Sequence, residues 1–215
     1  MGTTRMHNKG NGSNSLFIGN TAGNFTNTST GATCVGSFTG GALTTGQDLC
    51  AFGRNAAANA TTTTQSISVG AFSSPSLTTN GQHVVVGHAA DCGTGNLSTC
   101  LGFQSGSPTL GNTCVCIGSS AGSLTNGANN VLIASFGATE SNTIRIGNNT
   151  HTKFFASGIN GTAVGASSTV VVNAAGQLGT MVSSQRFKEN IANITQAKSD
   201  AFIALQPRSF TWKTD

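Results

Sequence analysis

The residues best suited to covalent chemistry stand together near the C-terminus, where two serines precede an arginine and a lysine: Ser183, Ser184, Arg186 and Lys188. A serine hydroxyl becomes a strong nucleophile only when a neighbouring base takes its proton, and a lysine can do so only if burial or nearby charge lowers its pKa. The same residues also suit a plain helix N-terminus, with one serine as the N-cap and Glu189 in the early turns. Taken alone, this short stretch favours the helix cap.

The other groups capable of chemistry are scattered along the chain. They are the cysteines Cys34, Cys50, Cys92, Cys100, Cys114 and Cys116 and the histidines His7, His83, His88 and His151. No Cys-x-x-Cys or His-x-x-x-His pair occurs, so we expect no metal site and no cofactor. Glycosidases need two carboxylates that flank the scissile bond. The repeat region offers only Asp48 and Asp91, which we expect to lie about 2.5 coils apart, and the following segment adds only Glu140, so polysaccharide cleavage is not expected.

The chain as a whole is poor in charge. Of its 215 residues ten are basic and six are acidic, 7% together, where a soluble domain has roughly 25%. Glycine, at 29 residues, has about twice its usual share. This composition excludes charge-rich disorder, collagen and, for most of the chain, a coiled coil. The basic residues form no cluster and no apolar run reaches ~18 residues, so neither nucleic-acid binding nor membrane insertion is expected.

Charge is also unevenly distributed. Only Asp48, Arg54 and Asp91 lie between Gly10 and Thr139, whereas eleven charged residues lie from Glu140 onward. Two differently built regions therefore share the chain.

The charge-poor region contains an internal repeat. A large apolar residue followed by a small one recurs, first at steps of 17 residues, then 15 or 16, with a shorter last step. The pairs are Ile18–Gly19, Val35–Gly36, Phe52–Gly53, Val69–Gly70, Val86–Gly87, Leu101–Gly102, Ile117–Gly118, Ile133–Ala134 and Ile146–Gly147. With the glycine numbered zero, positions −3 and −1 are mostly apolar, which is typical of a short strand with one buried face. One such unit cannot bury its apolar face alone, so we predict coils stacked edge to edge in a β-solenoid, with glycine as a positive-φ corner.

Position −2 of the repeat points to oligomerisation. Its side chains alternate with those at −3 and −1, so in a monomer we expect them to face water. Most of them are nevertheless not polar: Phe17, Cys34, Ala51, Ser68, Val85, Cys100, Cys116 and Leu132. We therefore expect other copies of the chain to cover this face, in an obligate homo-oligomer. The cysteines of this row are expected to be small buried hydrophobic residues, and free thiols suit assembly in a reducing cytosol.

The aliphatic-x-aliphatic-Gly unit, over roughly residues 15–147, resembles the head repeats of trimeric autotransporter adhesins, the left-handed β-roll, and related repeats of phage and large-virus fibre proteins. The resemblance implies an all-β fold and an intertwined homotrimer. We divide the chain accordingly into a flexible N-terminal segment (1–14), β-roll repeats of about 17 residues (15–137), a β-rich neck (138–182) and a short α+β C-terminal segment (183–215).

Local patterns predict elements in the last two segments. Alternation of polar and apolar residues indicates strands at 142–148, 153–159 and 169–173, the last followed by a turn. In the C-terminal segment we expect a short helix over 195–205 and a strand over 208–213.

The stretch after residue 181 is similar to the opening of the intramolecular chaperone of phage tailspikes and fibres, the peptidase S74 family. The family signature is matched by Ser183, Ser184, Arg186, Lys188 and Ile191, and residues 170–179 and 205–213 agree with its flanks. The resemblance implies self-cleavage between Val182 and Ser183 in the assembled trimer, with Ser183 as the nucleophile and Lys188 as the base. The family's domain is much longer than this segment, which we therefore expect to be its truncated start.

Together these features predict a trimeric structural attachment protein of the fibre or tailspike type, carried on a virion and assembled in the host cytoplasm. Its expected partners are its own copies and a host cell-surface receptor or glycan. The chaperone segment would assist trimerisation, and the only enzymatic activity expected is single-turnover serine autoproteolysis. Two alternatives stay open. One is a cellular surface adhesin or structural fibre at the cell surface, and the other is an ice-binding solenoid, although threonines such as Thr61–Thr64 show no fixed phase in the sequence.

Overall fold

The computed structural model describes residues 5–7, 14–24, 26–79, 81–125, 127–159, 165, 168–180, 189–206 and 208–209. The chain divides into two compact units, Met1–Phe154 and Phe155–Asp215. The first unit is a parallel β-solenoid, and the second contains an antiparallel hairpin and a short helix. The predicted β-solenoid class with a short helical segment near the C-terminus is confirmed.

The elements are short and evenly spaced. The strands are β1 (Arg5–His7), β2 (Leu16–Gly19), β3 (Thr33–Val35), β4 (Cys50–Phe52), β5 (Ile67–Val69), β6 (Val84–Val86), β7 (Thr99–Leu101), β8 (Val115–Ile117), β9 (Val131–Ile133), β10 (Ile144–Ile146), β11 (Val170–Val172) and β12 (Leu178–Thr180), and the helix is α1 (Gln196–Ile203). Strands β2 to β10 form eight successive parallel turns, and β1 joins their edge antiparallel to β2.

The repeat stays in register along the sheet. Phe17 lies beside Cys34, so position −2 of one coil meets position −2 of the next. The register survives the shortest of the early coils, since Val85 still pairs with Cys100 across a 15-residue step. Differences in coil length are therefore absorbed in the links between strands.

The links are also bonded from coil to coil. The Gly40 N–H donates to the Ala56 carbonyl over 3.1 Å, and the Ala57 N–H donates to the Ser73 carbonyl over 3.0 Å. Bonds of this kind satisfy backbone groups that lie outside the strands. A chain whose parallel strands have only three or four residues is thereby held together around much of its circumference.

Glycine is required where each strand ends, as predicted. Gly53 has a φ of +129°, a value that residues with a side chain rarely adopt, and a Cβ placed there would lie 2.6 Å from the carbonyl of Gly70 in the next coil. At the one coil where alanine replaces glycine, Ala134 instead adopts a left-handed φ of +51°. The glycine row thus permits both the corner and the close stacking.

The orientation predicted for position −2 is wrong. All eight residues of that row, which we expected on the outside, are completely buried inside the coil. Positions −3 and −1 point outward instead and are half-buried or exposed. The reason is the narrow interior, which must be filled at close to crystalline density and therefore accepts mostly small side chains. The predicted burial of Cys34, Cys100 and Cys116 is confirmed.

A second interior row, at position −4, is largely polar and binds the backbone. The Ser15 hydroxyl accepts the Ala32 N–H at 3.1 Å, and the Ser98 hydroxyl accepts the Cys114 N–H at 3.1 Å. Each hydroxyl serves the residue one coil further on. Buried serines are tolerated here because they are paired with main-chain groups.

The apolar core falls into two clusters, one ending at Leu77 and the other beginning at Val85. The coil that joins them, residues 66–83, has Leu77 as its one large buried aliphatic residue, and the rest of its interior consists mainly of hydroxyls and one imidazole. Its buried polar residues are Ser66, Ser68, Ser73, Ser74 and His83. This coil is the least apolar part of the solenoid interior.

The second unit is small. Strands β11 and β12 pair as an antiparallel hairpin, which agrees with the predicted strand and turn after residue 169. Helix α1 lies within the predicted 195–205 and has no buried residue. The strand predicted at 153–159 is wrong, because these residues are exposed and form no ladder. Most of the strand predicted at 208–213 lies outside the described residues.

Candidate functional site

A regular surface of the solenoid is the outer side of its parallel sheet, which we call the outer face. It consists of positions −3 and −1 of strands β2 to β10. These residues are Leu16, Ile18, Thr33, Val35, Cys50, Phe52, Ile67, Val69, Val84, Val86, Thr99, Leu101, Val115, Ile117, Val131, Ile133, Ile144 and Ile146. Apart from two threonines and one cysteine, every member is a large aliphatic or aromatic residue.

The outer face is accessible along its whole length. Ile67 is 41% exposed, Val86 is 39% exposed and Ile117 is 38% exposed, values that are high for aliphatic side chains in a regular array. Eight intervals of ~4.8 Å and strands of three residues give a surface of roughly 38 by 10 Å. About 380 Å² of contiguous apolar surface is within the range of the largest patches on monomeric proteins, which are often functional.

The last coil differs from the others in a way that closes the core. Arg145 occupies position −2, the interior position in earlier coils, and its guanidinium forms two hydrogen bonds with the Glu140 carboxylate, one of them 2.7 Å long. The hydrogen bond from Arg145 holds the pKa of the Glu140 carboxyl below its ordinary value. A polar, paired side chain at the end of a stack is what a capping coil requires.

A ladder of ring and cationic side chains borders the outer face. The Arg54 guanidinium lies 4.2 Å from the centre of the Phe72 ring, and His88 meets Phe72 edge-on at 6.0 Å. On its other side His88 stacks on Phe103 at 5.6 Å with the planes 15° apart. Sequence reasoning missed the ladder because the residue type changes from each of its members to the next and the distance from the glycine varies between one and two places. The only signal was that all four residues follow a strand-end glycine by one or two places.

Threonines of four successive links also fall in phase, contrary to our expectation from the sequence. They are Thr28, Thr44, Thr61 and Thr78. The hydroxyl of Thr44 donates to the Thr61 carbonyl, and the hydroxyl of Thr61 donates to the Thr78 carbonyl, each over 3.0 Å. The Thr28 hydroxyl likewise donates to the Thr44 carbonyl over 3.4 Å, so three hydroxyls of this row are used within the solenoid.

The interior thiols are not poised for nucleophilic chemistry. Burial raises the pKa of the Cys34 thiol to about 12. For Cys100 the hydrogen bond with Cys116 acts in the opposite direction, but the bond with Cys92 and burial together raise its pKa. The reactive form of a cysteine is the thiolate, so these groups are largely unreactive at neutral pH.

The residues predicted to carry autoproteolysis cannot be placed. Val182, Ser183, Ser184, Arg186 and Lys188 all lie outside the described residues. The roles assigned to the serine and the lysine therefore stay predictions. The last residue of the signature, Ile191, is described and is exposed.

Within the described part of the chain, no cluster of three or more histidine, cysteine or acidic residues could hold a metal ion. No helix in that part is long and apolar enough to span a bilayer.

Comparison with known proteins identifies no relative: no family model, no curated protein and no solved structure matches the chain.

Proposed function

We propose that this chain is part of a homotrimeric attachment fibre in which the outer faces of three copies pack against one another. The supporting observation is the outer face itself, a continuous apolar surface on a fold whose interior is already filled. Burying apolar surface contributes about 25 cal/mol per Å², so a surface of this size gains several kcal/mol per copy when it is covered.

We still propose that other copies cover an apolar face of the sheet. The face is now the one formed by positions −3 and −1, opposite to the position −2 face that we expected from the sequence. Position −2 fills the interior of each coil, and positions −3 and −1 are available to a neighbour. A parallel sheet whose outward positions carry no charged side chain between β2 and β9 suits packing against other copies. We choose three copies rather than two because the repeat resembles those of trimeric fibres and adhesins.

The oligomeric state tests this proposal. Sedimentation equilibrium of the Ser183→Ala chain, in which the self-cleavage proposed below is removed, is expected to give three times 21.5 kDa. Ile67→Lys places a charge in the middle of the outer face and is expected to give monomers, because an unpaired buried charge is costly. Thr62→Lys, at an exposed link position, is the matched control and is expected to stay trimeric. A monomeric wild type, or a trimer that withstands Ile67→Lys, contradicts the proposal.

Attachment is the biological role we assign to such a fibre, with a host cell-surface receptor or glycan as partner and the virion as location. A cellular adhesin or fibre at the cell surface uses the same architecture. Incubating labelled trimer with candidate host cells distinguishes attachment from a purely structural role. The quantity measured is the amount of trimer that stays on the cells after washing, which is expected to be substantial only for an attachment protein. Retention no greater than that of the Ile67→Lys monomer contradicts attachment.

The C-terminal segment is proposed to be released by self-cleavage between Val182 and Ser183, with Ser183 as the nucleophile and Lys188 accepting its proton. A denaturing gel of the expressed chain beside Ser183→Ala tests this, with Ser184→Ala as control. Two shorter products are expected for the wild type and the control but not for Ser183→Ala. Equal band sizes in all three samples remove the cleavage proposal.

The row of four threonines is the one observation that favours the ice-binding alternative. The row extends over four links only, and three of its hydroxyls are already bonded to carbonyls. An ice-binding protein lowers the freezing point of a solution without lowering its melting point. Thermal hysteresis equal to that of a Thr61→Val variant contradicts this alternative.

A further inference from the structure

Two cysteines meet inside the solenoid. The sulfur atoms of Cys92 and Cys100 lie 2.7 Å apart, although eight positions separate the residues in the sequence. Cys92 is 2% exposed and Cys100 is fully buried. A disulfide has an S–S bond of about 2.05 Å, so a small movement of either side chain brings the two atoms to bonding distance.

The contact has a local cause in the length of the coil. Cys92 stands five places after the strand-end glycine, a position that is half-buried or exposed in four other coils, at Gly41, Ala58, Pro75 and Ser123, and buried at Ser107 in the following coil. The coil of Cys92 has 15 residues where the preceding ones have 17. With two residues fewer, the link runs closer to the interior, and the Cys92 side chain meets Cys100 in the strand that follows the link.

We propose that Cys92 and Cys100 form an intrachain disulfide when the protein folds in the presence of a small-molecule disulfide such as oxidised glutathione. One cysteine attacks the small disulfide as its thiolate, forms a mixed disulfide and releases one small thiol. The second thiolate then attacks the cysteine sulfur of the mixed disulfide and releases the other small thiol. The protein loses two hydrogens, and one oxidised glutathione becomes two molecules of reduced glutathione.

Cys116 is the competing partner. It lies beside Cys100 in the next parallel strand, and the two thiols interact. The side chains of Cys92 and Cys100 are already in contact, with the Cys100 thiol also directed at the Asp91 carbonyl at 3.7 Å. The 2.7 Å contact makes Cys92 the partner that we propose for Cys100, and peptide mapping distinguishes this link from one to Cys116.

The link would reinforce a weak part of the interior. The coil of residues 66–83, with its hydroxyls and imidazole, directly precedes the coil that contains Cys92. A buried disulfide is shielded from reducing agents, and closing a loop of this kind lowers the entropy of the unfolded chain. Oxidised protein is therefore expected to melt several degrees above reduced protein.

Thiol counting and peptide mapping test the proposal. The chain is refolded from denaturant in the presence of oxidised glutathione, so that the reagent can reach the cysteines before they become buried. The product is then unfolded and its free thiols are alkylated with iodoacetamide. Four of the six cysteines are expected to be alkylated. Chymotrypsin can cut after Leu97, which separates Cys92 from Cys100, and the two resulting peptides are expected to remain joined until reduction.

Three variants complete the test. Cys92→Ser and Cys100→Ser are expected to have all five remaining thiols alkylated and no rise in melting temperature on oxidation. Cys34→Ser, which removes a buried thiol elsewhere in the core, is the matched control and is expected to keep the link. Six alkylated cysteines in the wild type, or a joined peptide pair containing Cys116 instead of Cys92, overturns the proposal.

Discussion

Glycine at the strand end is the residue on which coil stacking depends most directly. Gly53 needs its positive φ and lies too close to Gly70 for a side chain, whereas a Cβ at Gly41 would make only ordinary contacts, the nearest at 3.6 Å. Gly53→Ala is therefore expected to destabilise the solenoid by at least about 1–3 kcal/mol from backbone strain alone. Urea denaturation measures the loss, with Gly41→Ala as control. Equal midpoints for the two variants contradict this explanation of the repeat.

The buried imidazole of His83 predicts how stability depends on pH. Burial lowers the pKa of His83, against the opposing influence of the Gly95 backbone and of Asp91. The unfolded chain, with an ordinary pKa of about 6.5, then binds more protons than the folded chain. Stability is therefore complete above about pH 6.5 and falls as pH decreases toward the folded-state pKa. The melting temperature of the wild type is expected to be lower at pH 5.5 than at pH 7.5. The control His88→Gln should show the same decrease, and His83→Gln should show a smaller one. Identical decreases in all three proteins would contradict the role assigned to His83.

At the scale of elements, the short strands were predictable but their orientation was not. The regular repeat of an apolar residue followed by a small residue predicted the positions of strands β2 to β10, because this spacing can be read from the sequence without knowing what surrounds each strand. The side of the strand that faces inward depends on the width of the coil, which no local pattern reports. Large residues such as Ile67 and Val86 consequently looked like core, and small ones such as Ala51 and Ser68 looked like surface.

The terminal strand carries a prediction of its own. Arg145 places a charge at the interior position of β10, and inward-pointing charges are one way in which sheets block unwanted edge pairing. Arg145→Val is expected to leave the melting temperature within a few degrees of the wild type, because exposed ion pairs contribute little. It is expected to promote concentration-dependent association, which light scattering detects. Lys153→Val, an exposed residue after β10, is the control, and equal scattering by both variants contradicts the capping role.

At the scale of the whole molecule, the sequence predicted a solenoid with stacked coils and an apolar face available to other copies. It did not predict the antiparallel β1, since Arg5–His7 lies outside the repeat, nor the contact between Cys92 and Cys100, which arises from a coil two residues shorter. Such contacts depend on three-dimensional closure of the coil. The chemistry assigned to Ser183 and Lys188 rests on a resemblance and stays a prediction.

The central claim, that copies of the chain cover the outer face, can be tested with a native reporter. Cys50 is the one cysteine on that face and is half-buried in the single chain, whereas the other five are buried in the coil interior. The decisive measurement is the rate at which a maleimide reagent labels Cys50 in the native protein. Slow labelling of the wild type and fast labelling of Val86→Lys, two strands away, is the predicted result. Labelling of the wild type as fast as that of Val86→Lys would show that the outer face is open to solvent and contradict the claim.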